Sequence, residues 1–179
     1  IQDKFLESDE LKTLIDSMKI TKWKLLTEFL ALSGLRFGEA AALYRSDVDL
    51  RNRVIHVTKT YNQAHDVVTT PKTGTSVRDV YMQDELLDVC KIILFTAAGG
   101  NVIQMSQMLF PGTRREHMQF DCYAKYLRET SEKALGRRIT PHTLRHTHAS
   151  LLMEQGIDKD SISRRLGHAN RRITEEIYL

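Results

Sequence analysis

The stretch TPHTLRHTHASLL at positions 140–152 crowds His142, Arg145, His146 and His148 together just ahead of an apolar stripe. His142, Arg145 and His146 stand at i, i+3 and i+4, so a helix makes them near neighbours on one face. Two imidazoles at that spacing resemble a zinc-binding pair. However, the adjacent guanidinium repels a dication and the glutamate of an HExxH arrangement is missing, so no metal site is expected. Anion binding suits the same residues better. His142 falls in the first helical turn, where free backbone N–H groups and the helix dipole attract negative charge, and Arg145 follows one turn later.

A second group lies in SGLRFGEAAALYRSDVDL, positions 33–50. Arg36 sits between a helix-ending Gly34 and a new helix start, a place from which a guanidinium projects into a cleft. Glu39, three residues on, is spaced to hold it, although such a pair by itself is a surface contact of a few tenths of a kcal/mol. Basic residues gather again in SRRLGHANRR, positions 163–172, where Arg164, Arg165, Arg171 and Arg172 have no acidic residue among them. That face suits phosphates, although a solvated helix face has the same composition.

The elements that must position these groups are mostly helical. SDELKTLIDSMK at 8–19 begins with Ser8 as N-cap and Asp9 and Glu10 in the first turn, with Leu11, Leu14, Ile15 and Met18 on one face. A second helix over 22–33 carries Trp23, Leu26, Phe29 and Leu30 and stops at Gly34; another begins near Phe37. Between 54 and 82 the period shortens. VIHVTKTY, DVVTT and VRDVYM predict a small three-stranded antiparallel sheet, with Pro71, Lys72, Thr73 and Gly74 at a turn between two strands. Helices return at 84–97 and 119–134, around an irregular segment. Thr140 as N-cap and Pro141 at the first position then open a helix running to about Gln155, with Leu144, Ala149, Leu151 and Leu152 as its buried stripe. Short helices at 158–166 and 170–178 flank GHAN. The expected fold is α+β, mainly α-helical, in one domain over 1–179.

Composition narrows the class. A chain of 179 residues can bury a real core, and 41% apolar with 27% charged residues is ordinary for a soluble domain. No apolar run approaches the ~20 residues that span a bilayer. Cys90 and Cys122 lack CxxC spacing and read as free thiols in a reducing, cytoplasmic setting. A net charge of +3 is too mild to argue for nucleic acid by itself. The opening IQDKFLESDELK has neither an initiator Met nor a signal-peptide pattern, so a piece of a longer protein is expected.

In order along the chain stand Arg36 and Glu39, Lys72 in TPKTGTSVRDV, His142 and Arg145 in HTLRH, His168 in LGH, and Tyr178 in ITEEIYL. This ordered set resembles the tyrosine recombinase, or phage integrase, family across nearly the whole chain. The wording of TPHTLRHTHASLL looks most like integrases of Gram-positive phages and conjugative transposons. The resemblance implies a catalytic domain that cleaves and rejoins DNA strands to integrate or excise a mobile element. Tyr178 would attack a phosphodiester, form a 3′-phosphotyrosyl link and free a 5′ hydroxyl that later attacks a partner strand. Bond energy stays in that link, so no ATP, metal or other cofactor is required, and the sequence has no Walker motif or acidic magnesium cluster.

The chemistry is coherent with those residues. Arg36 and Arg145 can stabilise the equatorial oxygens through charge-assisted bidentate hydrogen bonds. A tyrosine of ordinary pKa, about 10, is a weak nucleophile until cations and a base assist it, which His142 and His168 are placed to do. By resemblance, Lys72 on its turn protonates the leaving oxygen, with Lys59 as the alternative. Lys59, Thr73, Arg164, Arg165, Arg171 and Arg172 are the expected DNA contacts, and Glu39 supports Arg36.

Two departures from the family pattern bear on partners. The sequence ends at Leu179, one residue past Tyr178, where the resemblance leads one to expect a tail that packs on a neighbour, and a preceding DNA-clamping domain is expected outside these 179 residues. A homotetramer on double-stranded attachment sites is therefore expected of the full-length protein, and a weakly binding monomer of this chain. Rival readings are a non-catalytic helix-turn-helix regulator, from the two short helices in GIDKDSISRRLGHANRRITEEIY, and a related type IB topoisomerase or telomere resolvase.

Overall fold

The computed structural model describes residues 4–71, 74–96 and 106–168. Helix α1 spans Ser8–Ser17 and is capped by Glu7, one residue earlier than the expected Ser8, because Glu10 at the third helical position accepts the Glu7 N–H at 3.0 Å. Helix α2, Thr21–Ser33, ends at Gly34 in the left-handed conformation (φ 72°), and α3 follows at Phe37–Ala42. Helix α2 packs on two later helices, α4 (Asp84–Thr96) and α6 (Pro141–Glu154), while α1 packs on α5 (Phe120–Leu135). Phe29 of α2 meets Phe110 edge-on at 5.1 Å between ring centroids, and Trp23, Tyr123, Phe37 and Phe120 form a chain of ring contacts that runs from half-buried Trp23 through buried Tyr123 and Phe37 out to exposed Phe120.

The strands between α3 and α4 divide into two sheets. Strands β1 (Val48–Asp49), β2 (Val54–Val57) and β5 (Arg78–Tyr81) form an antiparallel sheet in the order β1-β2-β5; β3 (Thr60–Asn62) and β4 (Val67–Thr69) form a separate hairpin. The expected small three-stranded antiparallel sheet is present, but its strands differ from the expected set over 54–82 in two ways. VIHVTKTY breaks after Val57 into two strands, and a short strand from 48–49 joins the main sheet. The reason lies in burial: Ile55, Val57 and Val80 are buried on one face of the main sheet, whereas the hairpin reaches the core only through Tyr61 of β3, and Val67 and Val68 of β4 are exposed and give that strand no core face to share. The register pairs Val57 with Arg78 and Ile55 with Val80, so Arg78 lies on the inward face.

Helix α6 opens as expected at Thr140 and Pro141, with the Thr140 N–H donating to Thr143 Oγ1 at 3.2 Å. Its burial is broader than one apolar stripe. Leu144 and Ala149 are buried and Leu151 and Leu152 half-buried, but Arg145, Thr147, His148 and Ser150 are buried too, because α6 lies between α2 and α7 (Lys159–Leu166). Inward polar groups need partners there. Asp158 caps α7, its carboxylate accepting the Ser161 N–H at 2.8 Å, and Gly167 ends the helix at φ 73°. The expected helix over 170–178 lies outside the described residues. Among the described residues no helix is long and apolar enough to cross a membrane.

Candidate active site

Three chain turnings meet around Arg145: the end of α2, the start of α6 and the end of α7. Arg145 is 3% exposed, and its guanidinium donates from Nη1 to the Gly34 carbonyl and from Nη2 to the Leu166 carbonyl, both at 2.6 Å. Each acceptor belongs to a helix C-terminus whose last carbonyls lack helical partners. Both glycines at these ends are required by packing as well as by φ. A Cβ on Gly34 would run into the His148 ring and Leu166, and one on Gly167 would sit 2.7 Å from Arg78 Nη1.

Arg36 follows Gly34 by two residues and caps α3. Its N–H donates to Glu39 Oε1 at 2.9 Å, and its exposed guanidinium stands 3.6 Å from Glu39 Oε2. Arg36, His142 and Arg145, together with Leu35, Phe37, Phe120, Thr140 and Pro141, line a cavity of about 280 Å3. His142 also borders a wider concavity of about 690 Å3 that includes Lys4, Arg137, Arg138 and His146. The His142 and His146 rings meet edge-on at 4.5 Å, and His146 Nδ1 is buried without a hydrogen-bond partner among the described residues. Among the described residues no group of three or more His, Cys, Asp or Glu side chains is placed to hold a metal ion.

Electrostatics tie His168 to the same place. Burial lowers its pKa to about 4, helped by the charges of Arg145, Arg36 and Arg78. His142 is lowered by burial and then by Arg145 and Arg36. Arg145 itself is pulled down by burial, then by Arg36, to about 9, and stays charged at neutral pH. These are the marks of cations packed together with too little negative charge, a field that an incoming anion relieves.

Glu39 is the counter-charge beneath them, and its main partner is not the expected one. It is 2% exposed and takes a bidentate pair of hydrogen bonds from Arg78, 2.7 Å from Nη1 to Oε2 and 3.0 Å from Nη2 to Oε1. Burial pushes the Glu39 carboxyl up, but the Arg78 hydrogen bonds and charge, with Arg36, outweigh it and hold the group below the ordinary range. Arg78 does not stand out in the sequence by type or spacing. The available signal is its phase: in VRDVYM it stands two and four residues before the buried Val80 and Met82, in step with them.

Of the residues expected at the site, the structure brings together Arg36, Glu39, His142, Arg145 and His168. Lys72, Thr73, Arg171, Arg172 and Tyr178 lie outside the described residues. Lys59 is not a free cation. Its ammonium is 2.9 Å from Asp47 Oδ2 and 3.9 Å from the Tyr44 ring centroid. Arg164 is exposed, but Arg165, expected to face DNA, turns its guanidinium inward to His148, Leu32, Tyr81 and Gln83. His148, the third histidine of the opening stretch, is thereby an interior acceptor rather than a member of the His142 and His146 face.

Comparison with known proteins agrees with this geometry. The family model described as "Phage integrase family" matches residues 4–179. The integrase of Staphylococcus phage L54a is 32% identical over 161 residues, covering 84% of this chain and 46% of that protein. The ICEBs1 integrase of Bacillus subtilis is 33% identical over 165 residues, covering 82% and 42% respectively. These relatives bear out the likeness to integrases of Gram-positive phages and conjugative elements, and the chain spans about half the length of the curated relatives it matches. The crystal structure of XerA recombinase superposes with a TM-score of 0.77 at 29% identity, over 97% of this chain and 57% of that one. The Tn1549 transposon integrase in complex with transposon right end DNA gives 0.80 at 24% identity, over 100% and 62%, and shows the same fold. With the family model covering nearly its whole length, the chain belongs to the phage integrase family.

Proposed function

We propose that this chain, over 1–179, is the catalytic domain of a site-specific DNA recombinase that cleaves and rejoins strands through a 3′-phosphotyrosyl intermediate. The observation that carries the reading is the convergence of Arg36, His142 and Arg145 on one cavity, with Arg145 pre-aimed by two helix-end carbonyls. Two of the five N–H groups of Arg145 are engaged there, and in this proposal the others serve the phosphate oxygens. A phosphodiester seated between the two guanidiniums gains charge as it becomes pentavalent, and fixed donors already in place stabilise that charge without reorganising.

The histidines fit the acid and base steps. Burial and surrounding cations keep His142 and His168 neutral at physiological pH, so each can accept a proton or donate one N–H to a phosphate oxygen. Tyr178 is the attacking group in this proposal and Lys72 the acid that protonates the 5′ leaving oxygen. Double-stranded attachment-site DNA is the substrate, a homotetramer on that DNA the working assembly of the intact protein, and the cytoplasm its location. The Tn1549 integrase, which shares the fold, is seen with its transposon end. The regulator alternative is disfavoured by α7: of its two adjacent arginines, Arg165 faces inward, leaving Arg164 as the exposed member of the pair.

A nicked suicide duplex carrying the attachment site tests the reading with the intact protein. A covalent adduct with wild type and none with Tyr178→Phe is the expected result; no adduct, or one that survives the substitution, overturns it.

A further inference from the structure

The proposed mechanism leaves one buried polar device unused. Arg165 stands three residues before His168 and is half-buried, with its guanidinium directed inward. Nε donates to His148 Nε2 at 2.9 Å, Nη1 to the Tyr81 carbonyl at 2.7 Å, and Nη2 to Gln83 Oε1 at 3.0 Å and the Leu32 carbonyl at 3.2 Å. The Arg165 carbonyl in turn accepts Arg78 Nε at 2.7 Å. One residue thus ties the last turn of α7 to α2, to α6, to β5 and to the segment after it.

The contact with His148 constrains the imidazole chemically. His148 Nδ1 lies 2.9 Å from the Ala31 carbonyl, which can only accept, so Nδ1 carries the hydrogen. Nε2 therefore presents a lone pair, which is what the Arg165 Nε–H requires. A doubly protonated ring would face the guanidinium with a second N–H, and burial with the Arg165 charge lowers His148 to about 3, excluding that form. The neutral Nδ1–H tautomer is locked at 2% exposure.

What this pair holds still is the turn that serves the site. Leu166, next to Arg165, supplies the carbonyl that orients Arg145; Gly167 backs onto the Arg78 guanidinium; the His168 N–H donates to the Ser163 carbonyl at 3.0 Å. Displacing the end of α7 would move His168 and release one of the two anchors of Arg145 together. We infer that His148 and Arg165 are positioning residues for the recombinase site, the fixed imidazole lone pair and the inward guanidinium setting the α7 turn from which His168 and the Leu166 carbonyl act. This rests on the functional reading above.

The test uses the intact protein with Arg165→Lys and His148→Phe, comparing single-turnover cleavage of the suicide duplex at saturating protein, DNA affinity, and the titration of His168 by imidazole NMR without DNA. Misplacement of reacting groups by about 1 Å costs on the order of 100-fold in rate, so cleavage falls roughly 10- to 100-fold in the variants while affinity stays within about threefold. His168, held near 4 by burial and its cationic neighbours in wild type, titrates closer to the ordinary value of about 6.5 in the variants. Wild-type cleavage rates in folded variants overturn the inference. So does a loss of thermal stability and DNA binding with His168 titration unmoved. If His148→Phe fails to fold, Arg165→Lys, which keeps the charge and part of the donor set, decides. If wild type itself forms no adduct, the functional reading fails, and the His168 titration still decides whether the pair fixes the turn.

Discussion

Replacing Glu39 with Gln separates the charge of the buried counter-ion from its shape. The Glu39 side chain is 3% exposed and the Arg78 side chain 6%, and Arg36 contributes both its N–H and a guanidinium 3.6 Å away. Removing one member of a buried ion pair costs about 3–5 kcal/mol because the other charge is left uncompensated. An amide retains one acceptor for Arg36 or Arg78, so the low end, about 3 kcal/mol, is expected. For a domain of this size each kcal/mol moves Tm by about 2–4 °C, which predicts a fall of roughly 6–12 °C for Glu39→Gln. The pH dependence fixes the cause. The folded-state carboxyl titrates below its unfolded value, so its contribution is complete above the unfolded carboxylate range and is lost as pH falls through the folded value. Urea unfolding of both proteins at pH 7.5 and at pH 4 reads this directly: the gap between them narrows on acidification. A variant within about 0.5 kcal/mol of wild type at pH 7.5, or a gap that ignores pH, refutes the placement of Glu39 as the charge beneath the site.

Arg36→Ala lowers suicide-substrate cleavage by about 100- to 1000-fold with a modest loss of affinity. Arg145→Ala also strands the Gly34 and Leu166 carbonyls and should add a drop in Tm that Arg36→Ala lacks. Buried neutral histidines make the fold acid-sensitive. His148 binds its proton at about 3 when folded and about 6.5 when unfolded, so its contribution is complete above ~6.5 and declines by up to about 1.4 kcal/mol per pH unit as pH falls towards 3. Urea titrations of His148→Phe between pH 7 and 5 should show a shallower decline than wild type; equal slopes would contradict it. Arg171→Ala and Arg172→Ala should each flatten the salt dependence of DNA affinity, by about 0.9 in log–log slope for every phosphate that is no longer neutralised, with cleavage at saturating DNA unchanged.

Much of the helical frame is legible in the chain because its signals are local: Gly34, Gly136 and Gly167 end helices, and Thr140 with Pro141 starts one. Arg36, His142, Arg145 and His168 are legible as types in order, and their convergence comes only from packing α6 between α2 and α7. What escapes the sequence is polarity turned inward. Arg78 reads as an ordinary strand residue until the register places it beside Val80 on the buried face. Arg165 and Lys59 read as cations for phosphate because composition does not reveal which charges have partners inside the fold. The sheet departs from expectation for a related reason: β-branched runs predict strands, but burial decides which strands share a sheet, and exposed β4 has no core face to share.

The central claim concerns one phosphate. A structure of the intact protein on a nicked attachment site should place the scissile phosphate in the cavity between Arg36 and Arg145, with both guanidiniums within hydrogen-bonding distance of its non-bridging oxygens and His168 at its edge. A duplex whose scissile phosphate lies away from that cavity, with α7 alone seated in a groove, would contradict the account.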